Sequence, residues 1–388
     1  MICSKAVPQQ NFYPVPWSNG IFLTICGLGF SVSREIELPT IQPGKSIALI
    51  ILGMGAYFLY LYYIGVQDVI SALKNVDFKL FSAAFIMALF GVFCDAVAWQ
   101  VIAHKFDFKV PLWDMFLIYM SCIFMNNLIP SGSFAGETAR IYFLEKLDGG
   151  SRIDQSSATV AATRIITAIP FFFGTVIGLI YLYVATDAPL WVLATCSIIT
   201  LILLLLNAAF IGICFADDWL ERIIFTLIDY IEKFFHIDID RLQCSGIMSR
   251  FHESMKMLAE HKRTVLISTF FAVVGWLSMT LVAAIIFRSM GLSVPLRAVF
   301  AVYAVMIFLQ MLPLFLPGGV GLVDIVMSTL FTAIGVPMSS SVAATILIRL
   351  IQLWLLTALG GLATAYLVKK INHKAGLPIS QNSVAKGF

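Results

Sequence analysis

The sequence predicts an all-α polytopic membrane protein with about eight spanning helices, two short re-entrant helices and two inverted-topology repeats. Three observations carry this. Hydrophobic residues make up 60% of the 388 positions, charged residues only 12%, and mean hydropathy is +0.93, whereas a soluble domain carries about 25% charged residues. Apolar runs of membrane-crossing length, about 20 residues, recur along the chain. The two halves also match each other at residues that are not simply apolar.

Residues 1–45 read as a cytoplasmic or interfacial arm. Ile21 to Phe30 is apolar but far too short to cross, and it lacks the flanks of a signal peptide. Gly44-Lys45-Ser46 resembles the end of a phosphate-binding loop, but the earlier glycine falls at Pro39. Spanning segments are expected at Ser46–Val66, Phe81–Ala103, Leu112–Leu128, Ala158–Val184, Leu190–Phe215, Val265–Phe287, Val299–Leu316 and Val342–Val368. Glu137–Leu147 and Val320–Gly335 each follow a glycine-rich break and are too short for a comfortable crossing, so re-entrant helices are expected there. Together these segments make one transmembrane domain over residues 46–370. Its halves, about 79–215 and 263–370, are joined by a polar connection at 217–262. Residues 371–388 form a tail.

In that connection Leu220, Ile223, Ile224, Leu227, Ile231 and Phe234 recur at helical spacing. With Arg222 and Lys233 nearby they predict an amphipathic helix on the membrane surface. Asp238-Ile239-Asp240 has the form of a metal-binding D-x-D, but alone it fits a loop or helix end better. The seven cysteines are scattered without a C-x-x-C pair and read as small buried hydrophobes. No metal site or cofactor is expected.

The stretch Asn126 to Arg140 breaks this apolar pattern with two amides, a proline, two glycines, a carboxylate and a guanidinium. Ionisable residues at membrane depth are expensive, which makes each a candidate for function with a partner to be named. Laying the halves side by side puts Gly91 on Gly275, Val110-Pro111-Leu112 on Val294-Pro295-Leu296, and Phe116 and Tyr119 on Phe300 and Tyr303. With one residue more of offset, Gly136 falls on Gly321 and Arg164 on Arg349, and Asp324 is the nearest counterpart of Glu137. Lys and Arg concentrate in cytoplasmic loops, which places the 217–262 connection and both termini in the cytoplasm. The Thr186–Pro189 link, free of basic residues, falls outside. Ala158–Val184 then runs outward and its counterpart Val342–Val368 inward, an inverted repeat.

Such repeats place a transport site where the halves meet, often at broken helices whose N-termini face an anion. Ser131, Gly136, Gly318, Gly319 and Gly321 can supply backbone N–H groups or a hydroxyl there. Arg140, Arg164 and Arg349 can supply forked donors that match phosphate geometry. Asn126 and Asn127 complete the candidate binding set, with Glu137 and Asp324 as counter-charges. A plainer reading pairs Glu137 with Arg164, and Asp324 with Arg349, to neutralise buried charge, and makes the amides interhelical hydrogen bonds. The two readings are compatible. Gly360-Gly361 reads as close helix packing.

The N-x-x-P…G-E-x-x-R block, the later arginine in a spanning helix and the second P-G-G-x-G block resemble the transmembrane, flippase-like domain of lysylphosphatidylglycerol synthases, over roughly Ser46 to Lys370. The resemblance implies a stand-alone inner-membrane protein that moves an anionic phospholipid or lipid-linked phosphate between leaflets. The soluble aminoacyl-transferase domain that makes the lipid in the synthases has no counterpart in these residues. Asp324 stands where that family more often has glutamate, and the spacing from Pro130 to Gly136 is longer than usual. The expected partner is a membrane lipid or lipid-linked anion, without nucleic acid, and a homo-oligomer is left open. The rival readings are a membrane-embedded transferase on a lipid-linked substrate and a small-anion transporter. No catalytic constellation supports an enzyme.

Overall fold

The computed structural model describes residues 66–374 apart from 75, 130–133, 151, 312–316 and most of 186–240. The expected arm at 1–45, the spans Ser46–Val66 and Leu190–Phe215, the amphipathic run Leu220–Phe234, the Asp238/Asp240 pair, the far tail and Ser131 lie essentially outside the described residues. Those residues are helical throughout, without a strand. In chain order the helices are α1 (Val66–Leu73), α2 (Phe78–Ala103), α3 (Leu112–Leu128), α4 (Phe134–Asp148), α5 (Ile153–Ala185), α6 (Arg241–Glu260), α7 (Lys262–Ser289), α8 (Leu296–Met311), α9 (Leu322–Ala333), α10 (Met338–Arg349) and α11 (Leu356–Lys374). A π-helical turn, Leu350–Leu355, makes α10 and α11 one continuous rod.

Four stretches among the described residues are long and apolar enough to cross a membrane: Phe78–Phe106, Ile153–Tyr181, Lys262–Ser289 and Met338–Lys374. They correspond to four of the expected spans, each longer than expected. The extra residues are polar and escape a hydropathy reading, yet tertiary contacts make them helical. Asp77 caps α2 by accepting from the Lys79 and Leu80 amides at 2.7 and 3.4 Å. Ser156, in the first turn of α5, donates to Glu145 of α4 at 3.2 Å. Leu112–Leu128 and Leu296–Met311 hold 17 and 16 residues, about 25 Å of helix at 1.5 Å per residue.

Small residues let the rods approach. At the α2–α7 crossing, a Cβ on Gly91 would stand 3.2 Å from the Gly275 carbonyl, and one on Gly275 would stand 3.1 Å from the Gly91 carbonyl. Gly360 of α11 lies directly against the Met120 carbonyl of α3, as the sequence suggested for close packing. Thr175 of α5 donates to the Ala304 carbonyl of α8 at 3.0 Å. One apolar core joins the first half of α2 to α7, α8, α9 and α10, with Phe287 against Phe331. A second joins the end of α2 to α3, α4 and α5 around Trp99, Ile102, Phe143 and Leu144. On the outside, Phe173, Ile177, Ile180 and Val184 form an exposed apolar stripe along α5, the surface a helix offers to lipid. Cys94 and Cys122 are free and buried, as small apolar residues would be.

One helix was not anticipated. Within the polar connection, α6 packs Phe251, Met255 and Leu258 into the second core, and Arg250 pairs with Asp154 of α5 at 3.2 Å. That spacing is helical, but three apolar positions in a strongly polar stretch gave a weak signal.

Gly360→Ala is expected to lower stability by about 1–3 kcal/mol, because its methyl meets a backbone carbonyl that cannot swing away. Gly212→Ala, with nothing within 4 Å of its Cβ position, is expected to be neutral. Thermal midpoints of the two variants in detergent check this.

Candidate functional site

The two acid–arginine pairs are built to one local plan. In each, a helix begins with an acid in its first turn, runs to a glycine turn, and is followed by a helix whose twelfth residue is an arginine. Glu137 opens α4, the chain reverses through Gly149 (φ 81°), and Arg164 stands eleven residues beyond Ile153. Asp324 opens α9, the chain reverses through Gly335 (φ 94°), and Arg349 stands eleven residues beyond Met338. Both turns need a left-handed residue, which glycine adopts without strain. At 1.5 Å per residue each arginine lies about 16 Å, three turns, from its helix start.

In the first pair Glu137 is held by two arginines. Its Oε1 lies 2.8 Å from Arg164 Nε and its Oε2 lies 3.0 Å from Arg140 Nη1. Arg140 is only 2% exposed and sits on aromatic faces, 4.2 Å from the Trp99 ring and 5.0 Å from the Tyr119 ring. It therefore stands behind Glu137 as a buried counter-ion. Arg164 stands in front: its side chain is 35% exposed, and its terminal nitrogens bond to no described residue. A guanidinium held by one nitrogen, with its other donors open, can take an anion without leaving its partner.

The second pair is closed on itself. Arg349 and Asp324 are 9% and 8% exposed and meet at 3.1 Å. Arg349 Nη2 donates to the Gly318 carbonyl at 2.5 Å, and the Gly321 amide donates to Asp324 Oδ2 at 2.9 Å. Gly318, Gly319 and Gly321 all take positive φ, at 58°, 62° and 88°, which brings that carbonyl and that amide round to the pair. The α10 rod turns π-helical directly after Arg349, a local widening often found at functional positions. In α5, Pro170 lies inside the continuous helix six residues after Arg164, where it cannot donate a backbone hydrogen bond.

The remaining expected residues fall around the first pair, several in structural roles. Asn126 accepts from the Gly136 amide at 2.7 Å, and any Cβ on Gly136 would strike that side chain. Asn127 donates to Thr357 of α11 at 2.7 Å. The expectation that the glycine breaks offer free N–H groups is thus revised at Gly136 and Gly321, whose amides are taken up by Asn126 and Asp324. Sequence reasoning missed Trp99, Tyr119 and, most notably, Asp95, an acid inside the α2 span. Asp95 was legible as the one carboxylate within Phe81–Ala103. It also missed Gln352, which accepts from Tyr303 at 2.5 Å and donates to the Met279 carbonyl at 3.0 Å.

The lysylphosphatidylglycerol synthase TM region family matches residues 46–360, which contain every one of these groups. The chain belongs to this family. It is similar to a UPF0104 membrane protein of Methanothermobacter thermautotrophicus, 26% identical over 85% of this chain and 98% of that protein. It is also similar to UPF0104 membrane proteins of Pyrococcus horikoshii, 26% identical over 82% and 96% of the two chains, and of Methanocaldococcus jannaschii, 27% identical over 86% and 98%. All three are described as membrane proteins of similar extent, in agreement with the apolar helices of this lysylphosphatidylglycerol synthase TM-region protein.

Arg349→Ala leaves Asp324 buried without a cation and is expected to cost about 3–5 kcal/mol of stability. Adding Asp324→Asn should recover part of that loss. Arg164→Ala is expected to be milder, since Arg140 remains on Glu137. Unfolding midpoints in detergent order the three variants.

Proposed function

We propose that this protein moves an anionic phospholipid or lipid-linked phosphate headgroup between membrane leaflets, with Arg164 and Arg349 as two anion stations used in turn. The observation that carries this is the difference between two pairs of one plan: Arg164 keeps 35% of its side chain accessible and Arg349 only 9%. Alternating access requires one station open and its equivalent shut. Glu137 and Asp324 hold the arginines between loads, and the glycine breaks give the second pair room to open.

The inverted repeat on which this rests is supported by contacts that map onto one another. α3 packs on α11 and α8 on α5, which are the same contact under the repeat, as are α4 on α5 and α9 on α10. The position equivalent to Ala304 is Met120 and the one equivalent to Thr175 is Gly360. Thr175 meets the Ala304 carbonyl, and Gly360 meets the Met120 carbonyl. The equivalent glycines Gly91 and Gly275 touch each other reciprocally, as residues beside a two-fold axis do.

On this reading the chain is a transporter and not an enzyme, and synthesis of lysylphosphatidylglycerol is not carried over from the family name. About eight spans, with α4 and α9 as re-entrant helices, complete the topology. On the charge distribution, this reading has both termini in the cytoplasm and the protein in the inner membrane. With that orientation Arg164 opens toward the cytoplasmic face and Arg349 is shut from the other.

In proteoliposomes, Arg164→Ala and Arg349→Ala are each expected to reduce transfer of an anionic phospholipid between leaflets at least tenfold. Transfer at the wild-type rate in both variants would overturn the proposal. Mass spectrometry of lipid retained by the purified protein should show an anionic phospholipid in the wild type and less of it in Arg164→Ala.

A further inference from the structure

Asp95 lies in the middle of α2 and takes no part in the two pairs. Its carboxylate sits over Gly275 of α7, where a Cβ would stand 2.6 Å from Oδ1, so glycine is what leaves room for it. No hydrogen bond or ion pair joins Asp95 to a described residue. One turn further along α2, Trp99 carries the Arg140 guanidinium on its ring at 4.2 Å, and residues four apart share a helix face. Asp95 is thereby within Coulombic reach of Arg140. Arg140 in turn has Nη1 on Glu137 but no partner for Nε or Nη2, both fully buried. A partly buried carboxylate without a donor among the described residues and a buried guanidinium with two spare donors thus face one region. A lone carboxylate in such a place either pairs or takes up a proton.

We infer that Asp95 is a proton-binding site linked to anion binding at Arg164. The inference rests on the reading of Arg164 as an anion station and deepens it by naming the co-substrate. With Asp95, Glu137, Arg140 and Arg164 all ionised, the cluster is neutral. A phosphodiester monoanion on Arg164 takes it to −1, and one proton on Asp95 returns it to zero. In a low-dielectric interior that neutrality is what binding requires. Arg140 supplies the coupling. When Asp95 is ionised it draws the two spare N–H groups, Arg140 loosens from Glu137, and Glu137 closes on Arg164. When Asp95 is protonated, Arg140 stays on Glu137 and the Arg164 fork is released to the anion. The proton comes from hydronium in the water that reaches Arg164: one hydronium O–H bond breaks, an O–H bond to an Asp95 carboxylate oxygen forms, and a neutral water is left.

The groups that titrate or carry charge around Asp95 are few. Arg140 and Glu137 come from α4, Tyr119 and Cys122 from α3, Cys94 from α2 itself and Arg164 from α5. His104 is two turns away at the end of α2. The facing part of α7 offers Gly275 and Met279, and the Leu350–Leu355 turn offers nothing that titrates. The device belongs to one half only, because the position equivalent to Asp95 is Met279.

The test uses the full chain in phosphatidylcholine vesicles with a fluorescent phosphatidylglycerol probe and an imposed pH gradient. The wild type is expected to distribute the probe between leaflets in step with the gradient, up to tenfold per pH unit for one proton per lipid. In Asp95→Asn the final distribution should ignore the gradient, whatever its rate. A variant that follows the gradient as the wild type does overturns the inference. Should Asp95→Asn move no probe, proton uptake on adding the probe to unbuffered wild type in detergent decides: one proton per bound lipid supports it, none overturns it. Failure of the wild type to move the probe at all, with Arg164→Ala no different, overturns the anion-station reading and this inference with it.

Discussion

A charge inside a bilayer needs an opposite charge within reach, and the arrangement of this chain follows from how Glu137 meets that need. Its two oxygens face two arginines from different elements, Arg140 one turn away on α4 and Arg164 across the hairpin on α5. The hairpin has to turn where it does for Glu137 and Arg164 to meet at the same depth, which places Gly149. Asn126 then ties the end of α3 to the first turn of α4. Arg140 needs the Trp99 and Tyr119 faces to lie flat against. The second pair meets the same need with fewer groups, an acid, an arginine and a glycine carbonyl.

The two pairs differ in what they leave over. Around Glu137 there are two cations for one anion of the pair, spare donors on Arg140, and an exposed fork on Arg164. Around Asp324 every named polar atom finds a protein partner. On the proposed reading a pair of the first kind takes another anion when Asp95 carries a proton, and a pair of the second kind does not until it opens. Desolvation makes that opening costly for a buried ion pair unless an incoming anion replaces the lost contact. In the proposed transport cycle, exchange of the Asp324 contact for a headgroup phosphate is the step that the glycine run at 318–321 would make room for.

Much of the fold was legible because bilayer-crossing helices announce themselves by length and apolarity, as do Phe78–Phe106 and Lys262–Ser289. The boundaries were less so. Residues such as Asp154 and Ser156 look like loop by hydropathy, yet they are helical because neighbouring helices satisfy them, while Ser341 donates to the Val336 carbonyl just before its own helix. The acid–arginine pairing was legible too, since a charge at membrane depth has few partners to choose from. What the glycines do was not. A break in a helix reads as a set of free amides, whereas here Asn126 and Asp324 had already taken two of them. Asp95 escaped notice as a single acid in a long apolar span without a motif around it.

The sequence by itself determined the class of protein, the family, the two polar breaks and the residues that pair across them, because composition and spacing are properties of the chain alone. Only the tertiary structure decided that one arginine is open and the other shut, that Arg140 lies behind Glu137, and that Asp95 looks toward Arg140 over a glycine of another helix. Exposure and burial depend on what packs against a side chain from distant parts of the chain, and for Asp95 that neighbour is Gly275, far along the sequence in the other half.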